Sequence, residues 1–310
     1  MTQRKTVPVL LVTGFLGSGK TTFLREVARQ CAGKRLAFLV NDFAAVDVDA
    51  QALSDVEGEM FSVPGGSIFC RCLTTTFTKT LRGIARLAPP VEGVVIEASG
   101  MADPRCVGTL LAETGLDAAF TLSTVVALAD PGTFPKLLKT LPSVRSQVEC
   151  ADIVLLNKAD LFDEAAIAAA ETALRAIRDD VAIVRCVKGN APVQFFVGQS
   201  HAMAFHAKPS ACRDASFVSA TVRLRAPRRL AAVIETLNRY GDILWRAKGH
   251  LLTEAGMMEL QWVMNPAACC GTVDIRPAAR AVTHSALALI ARGNASLRLD
   301  ALCAAIRDLR

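Results

Sequence analysis

Nowhere in the 310 residues does an uninterrupted apolar run approach the ~18 residues that a membrane-spanning helix needs, although 52% of the chain is hydrophobic. Mean hydropathy is positive at +0.34, so that hydrophobicity belongs to a core cut into short pieces. The stretches Val7–Val12 and Ile153–Leu156 have the length of buried strands. Arg4 and Lys5 precede the first of them, as in a secretory leader, but it is too short for one and runs straight into a glycine-rich motif. The expectation is therefore a cytoplasmic protein with no membrane partner. Aromatics are sparse at 5%, and the net charge of +6 is scattered, with no basic stripe interleaved with aromatics. This leaves no footprint for a nucleic-acid partner. Histidine occurs only four times and no internal repeat is present. Ten cysteines in a cytoplasmic setting are read as reduced thiols, some of them small core residues.

What is present begins with rhythm. Seven strand-like runs, Val7–Thr13, Leu36–Val40, Met60–Val63, Gly93–Ile96, Thr124–Leu128, Ile153–Leu156 and Ala182–Val184, alternate with helical patterns. The helical stretches are Thr21–Ala32, Leu73–Ala88, Arg105–Thr114 and Glu164–Arg178. Alternation of this kind gives an α/β fold with a mostly parallel sheet covered on both faces. The rhythm then stops. Residues 1–187 form the expected nucleotide-binding domain, 188–213 a connecting segment, and 214–310 a smaller α/β domain. In the latter, Phe217–Leu224 and Asp242–Leu252 read as extended, and Arg228–Arg239 and Leu297–Leu309 as helical.

Gly14-Phe-Leu-Gly-Ser-Gly-Lys-Thr21 fits G-x-x-x-x-G-K-[ST] completely, after a strand and before a helix. Gly14, Gly17, Ser18, Gly19, Lys20, Thr21 and Thr22 are the expected phosphate-binding residues. Backbone N–H groups wrap the phosphates, Lys20 reaches the β- and γ-phosphates, and the Thr21 hydroxyl holds Mg²⁺. Asn157-Lys-Ala-Asp160 follows the strand Ile153–Leu156. Asp160 can accept from guanine N1–H and the exocyclic amine, donors that adenine lacks, so GTP or GDP is favoured over ATP. Asn157 is suited to the far edge of the base, and the Lys158 stem to its face. Glu97 ends the strand Gly93–Ile96, where a carboxylate grips Mg²⁺ or its water shell, and Gly100 can offer its N–H to the γ-phosphate. Asp42, in Asn41-Asp42-Phe43, reads as a second Mg²⁺-side or water-orienting group, or as part of a merely solvated acidic loop.

With these motifs in place, the chain resembles the CobW-type metallochaperone GTPases, relatives of the nickel-insertion GTPases UreG and HypB. The matching residues are Val9–Thr22, Asn41–Asp49, Gly65–Cys72, Glu97–Pro104, Asp130, Gln147, Ala151–Leu161 and Gly241–Leu252 with Arg246-Ala-Lys-Gly249. The resemblance implies a P-loop GTPase domain joined to a CobW C-terminal-like domain. It implies slow GTP hydrolysis, with Lys20, Asp42 and Glu97 as the catalytic set. It also implies GTP-dependent delivery of Zn²⁺, Co²⁺ or another transition metal, or of a metallocofactor, to a client metalloprotein or cofactor-dependent enzyme. Nucleotide-dependent homodimerisation or client binding comes with it.

The sequence departs from this family at the cargo segment, Gly65-Gly-Ser-Ile-Phe-Cys-Arg-Cys72. The family's Cys-x-Cys-Cys becomes Ser67, Phe69 and Cys70, with an added Cys72. Two thiolates, Cys70 and Cys72, share one face of an extended chain and need a further ligand to enclose a tetrahedral metal. Cys106 is the candidate third. The alternative is a degenerate site and a GTPase switch without its own metal cargo. Asp42, Ala44 and Ala45 stand where the family has Glu, Gly and Glu. His201 and His206 are too widely spaced to share a helical face, and the adjacent Cys269 and Cys270 read as structural.

Overall fold

The computed structural model describes residues 6–42, 58–64, 74–100, 102–191, 194–196, 217–265, 270–278 and 285–309. The chain divides into two compact units, the first comprising Met1–Asn41 and Val56–Cys212 and the second Asp42–Asp55 and Arg213–Arg310.

The first unit is built on seven strands. They are β1 (Val7–Gly14), β2 (Leu36–Asp42), β3 (Glu59–Pro64), β4 (Gly93–Glu97), β5 (Phe120–Ala129), β6 (Ile153–Leu156) and β7 (Ala182–Arg185). Their order across the sheet is β3-β2-β4-β1-β5-β6-β7. The pairs β1/β4, β1/β5, β2/β4, β5/β6 and β6/β7 are all parallel. Parallel strands need crossovers, and helices α1 (Lys20–Gln30), α2 (Thr74–Ile84), α3 (Val107–Glu113) and α6 (Glu164–Arg175) lie in four of them. Two short helices, α4 (Phe134–Leu137) and α5 (Pro142–Glu149), fill the β5–β6 connection. Covered on both faces, the central strands are apolar without a break: Val9, Leu10, Leu11 and Val12 are all fully buried. Alternate residues Val9 and Leu11 pack with Phe77 and Leu81 of α2 and Val107 and Leu110 of α3.

The second unit is a five-stranded antiparallel sheet, ordered β11-β10-β9-β12-β8. Its strands are β8 (Phe217–Leu224), β9 (Leu244–Thr253), β10 (Gly256–Asn265), β11 (Cys270–Pro277) and β12 (Ser285–Arg292). Helices α7 (Leu230–Arg239) and α8 (Ser296–Asp308) share a core with it through Val233, Leu237, Leu299 and Leu302 around Trp262. The Trp262 indole donates to Asn238 Oδ1 at 2.8 Å, which satisfies its one polar atom inside the core. Gly249 of the Arg-Ala-Lys-Gly run has a plain packing role, since a Cβ there would lie 1.9 Å from the Ala286 carbonyl oxygen. Strands β9 and β12 meet at that point.

Among the described residues no helix is long and apolar enough to cross a membrane.

Candidate functional site

The site lies at the C-terminal ends of the central strands, where parallel sheets place ligands. β1 ends in Gly14, and the chain turns through Phe15–Gly19 into α1. Gly14, Gly17 and Gly19 have φ of 136°, 80° and 103°, values that L side chains avoid. Two of them are also closed to any side chain by their neighbours. A Cβ on Gly14 would lie 2.4 Å from the Leu128 carbonyl oxygen, and one on Gly19 would lie 2.3 Å from Asn157 Nδ2. The motif is thus compressed against β5 and the loop after β6, with its helix N-terminus beginning at Lys20. Lys20 is 5% exposed, and its ammonium donates to the carbonyls of Gly14 at 2.8 Å and Phe15 at 3.2 Å. A cation held in the curl of a glycine-rich turn beside a helix N-terminus is the donor chemistry a polyphosphate requires. Thr21 and Thr22 follow, both half-buried.

The loop after β6 is bound to this turn by Asn157, which is buried. Its Nδ2 donates to the Ser18 carbonyl at 2.9 Å, and its Oδ1 accepts from the Gly189 N–H at 3.0 Å. The Cys186 thiol also points at Oδ1, at 3.5 Å. One amide therefore ties together the phosphate loop, the β6 loop and the turn after β7. The sequence suggests the base edge for Asn157; the structure commits its amide to two backbone groups. The β7 turn, at the start of the expected connecting segment, packs on the first unit. Gln30 Nε2 donates to the Ala191 carbonyl, and Phe195 meets Phe23 edge-to-face at 5.4 Å.

Lys158 adopts the left-handed conformation, φ 63° and ψ 31°, at a cost of roughly 1–2 kcal/mol for a residue with a side chain. Its ammonium donates to Asp130 Oδ2 at 2.7 Å. Asp130 directly follows β5, and its other oxygen, Oδ1, accepts from the N–H groups of Gly132 and Thr133. Asp160 sits in the short 3-10 turn Ala159–Leu161 with its side chain exposed, one loop away from the phosphate turn.

Glu97 is the last residue of β4 and is buried. Register places it beside Val12 of β1 and Val40 of β2, level with the end of the phosphate-loop strand. Gly100 lies against that loop: a Cβ on it would be 2.7 Å from the Leu16 N. Gln147 of α5 holds it there, its buried amide donating to the Gly100 carbonyl at 3.1 Å and the Ala102 carbonyl at 3.4 Å. Asp130 and Gln147 both line a shallow cleft beside Phe15, Leu16 and Ser18. Sequence reasoning assigned neither of them a role. A carboxylate at the C-terminal end of a central strand, followed by Pro131-Gly132, is the signal that marks Asp130.

Asp42 ends β2, but its side chain lies outside the described residues, as do Cys70, Cys72, His201 and His206. Cys106 is placed, and not as a ligand. Its side chain is buried in the core under α3 with the thiol donating to the Asp103 carbonyl at 3.3 Å, and burial pushes its pKa up to about 12. Metals take the thiolate, which this setting disfavours. Among the described residues no group of three His, Cys, Asp or Glu could hold a metal ion.

The chain is 28% identical over 224 residues to the zinc chaperone CobW of Pseudomonas aeruginosa, a match covering 62% of this chain and 60% of that protein. Identity to the zinc chaperone YjiA of Escherichia coli is 32% over 163 residues, or 51% of each chain. Identity to zinc-regulated GTPase metalloprotein activator 1 of Schizosaccharomyces pombe is 29% over 188 residues, covering 58% of this chain and 44% of that one. The chain therefore spans 44–60% of the length of these relatives. The crystal structure of Zn(II)-bound YjiA GTPase from E. coli aligns over 99% of this chain and 100% of that one, at 24% identity and a TM-score of 0.49. Residues 8–185, more than half of the chain, match the CobW/HypB/UreG nucleotide-binding domain, and the protein belongs to that family.

Proposed function

We propose that the protein binds GTP with Mg²⁺ and hydrolyses it slowly, and that hydrolysis drives hand-over of a transition-metal ion, zinc foremost, to a client metalloprotein. The observation that carries the nucleotide half is the Asn157 tie. It sets the polyphosphate turn and the Lys158–Asp160 loop side by side, so one ligand can engage both.

In this reading Lys20 turns from the Gly14 and Phe15 carbonyls to the β- and γ-phosphates. Asp160 accepts from the guanine edge, and the Lys158 stem covers the base. Thr21, Glu97 and Asp42 are the residues that would hold Mg²⁺, which when bound neutralises charge developing on the phosphate oxygens. The Gly100 N–H would meet the γ-phosphate. The work is positioning and electrostatics, in keeping with phosphoryl transfer.

The metal half rests on the relatives' names as zinc chaperones and on Cys70 and Cys72. Ser67 and Phe69, standing where the family has cysteines, favour a second reading: a GTPase switch that maintains a cofactor-dependent enzyme without metal cargo of its own.

Two measurements test this. Fluorescent GDP should be displaced by GTP and not by ATP, and Lys20→Ala should abolish both binding and phosphate release; equal competition by ATP would end the guanine assignment. Zinc titration with and without a non-hydrolysable GTP analogue should show stoichiometric binding that is lost in the Cys70→Ser/Cys72→Ser variant. Unchanged zinc affinity in that variant would leave the second reading.

A further inference from the structure

Lys158 combines a left-handed backbone with an ammonium anchored to a buried carboxylate. We propose that Asp130 is a positioning residue for the nucleotide base, fixing the Lys158 side chain so that its stem forms a pre-set floor for the purine ring. The inference rests on the guanine-nucleotide reading above and adds to it the residue that governs how well the base face is covered.

The argument starts from the carboxylate. Asp130 is 8% exposed at its side chain, and its Oδ1 is held by the Gly132 and Thr133 N–H groups. It has therefore already lost its freedom before Lys158 arrives. The remaining oxygen meets Lys158 Nζ at 2.7 Å. An ordinary surface pair is weak because two long side chains must both be ordered in water. Here one partner is rigid and nearly dry, and only the lysine, 32% exposed, has rotamers to lose. The bond is charge-assisted and short.

The lysine backbone is pinned on one side by Asn157, whose amide bonds both Ser18 and Gly189. The side chain is pinned at its far end by Asp130. Between the two pins runs the apolar stem of a residue that itself caps the 3-10 turn carrying Asp160. Covering a purine with a flexible lysine would require ordering that stem on binding; with Asp130 present, most of that ordering has been done in advance. Left-handed strain that persists under such double constraint is typical of a functional position.

Binding and release of N-methylanthraniloyl-GDP by the full chain provide the test, using wild type, Asp130→Asn, Lys158→Met and the double variant. Asparagine keeps an acceptor for Gly132 and Thr133 but loses the ion pair; methionine keeps an apolar stem but loses the ammonium. Each single variant should weaken GDP binding by about tenfold, the scale of one charge-assisted bond discounted for partial exposure, with faster release. The double variant should be no weaker than Lys158→Met, because both changes cut one connection. Inosine diphosphate should lose the same factor as GDP, since the floor touches the face and not the exocyclic edge. The melting temperature of Asp130→Asn without nucleotide should fall by only a few degrees, the scale of one partly exposed ion pair, and should not account for the lost affinity.

Wild-type affinity in either single variant overturns the proposal, and so do multiplicative losses in the double. Should Asp130→Asn fail to fold, Lys158→Met alone still decides. A wild-type chain that does not bind GDP at all removes the guanine reading itself, a result distinct from an unresponsive variant.

Discussion

Replacing Asn157 with alanine separates a structural tie from a base contact, because the two roles predict opposite results when no nucleotide is present. The variant strips a partner from the Ser18 carbonyl and from the Gly189 N–H, both in buried residues. An orphaned buried backbone group costs about 1–3 kcal/mol. Two of them, partly relieved by water, give roughly 3 kcal/mol before any cavity term. For a domain of this size each kcal/mol moves the midpoint by ~2–4 °C, so the first unit should melt about 6–12 °C lower. The assay is differential scanning fluorimetry of nucleotide-free protein, with circular dichroism to follow the same transition. A midpoint within ~2 °C of wild type, together with lost GDP binding, would refute the tie and return Asn157 to the base edge.

Three further outcomes follow from the same geometry. Gly19→Ala should abolish GDP binding and lower the melting midpoint, because its φ of 103° is strained for alanine and its Cβ would collide with the Asn157 amide; retained binding by calorimetry would contradict this. Gln147→Leu frees the Gly100 and Ala102 carbonyls, so single-turnover phosphate release should fall at least several-fold while GDP affinity holds; unchanged release would show that α5 does not position that segment. Burial raises the Cys186 thiol from 9.0 to about 11, leaving about a thousandth as thiolate at pH 8. Native-state labelling by a disulfide reagent should therefore be slow at Cys186 and Cys106. The sign of the linked stability follows: it is fully present below pH 9, where the unfolded thiols are still protonated, and declines as pH rises from 9 to about 11. A flat urea midpoint across that window would count against the burial.

The seven strand-like runs of the first unit all became strands, because each is a short apolar block walled off by turn residues. Their ends were less legible. Strand β5 starts at Phe120, four residues before the expected Thr124, since the segment 120–123 mixes polar Thr121 and Ser123 with its apolar residues. Helices α4 and α5 were not visible. Each is short and has a proline in its first turn, and that pattern reads as loop punctuation until the neighbouring elements are known. This is why Asp130 and Gln147 had no assigned role: one opens the segment leading to α4, and the other rides on α5. In the second unit β10, β11 and β12 were also missed. Gly256–Asn265 carries three Met and Ser285–Arg292 is mostly Ala and Leu, residues that favour helix locally; here each segment is a strand paired on both sides, β10 with β9 and β11, and β12 with β9 and β8. Cys106 was set aside as a ligand for a reason that spacing cannot reveal, namely the depth of the core beneath α3.

The placement of Asp160 bears on how such a protein can change its ligand over evolutionary time. Asn157 is locked into the framework, whereas Asp160, three residues on, sits on an exposed turn. On the proposed reading, base choice and phosphate grip are held by separable parts of one loop. A lineage could retune which purine is accepted by altering the outer residue while leaving the anchored one, and the polyphosphate engine, untouched.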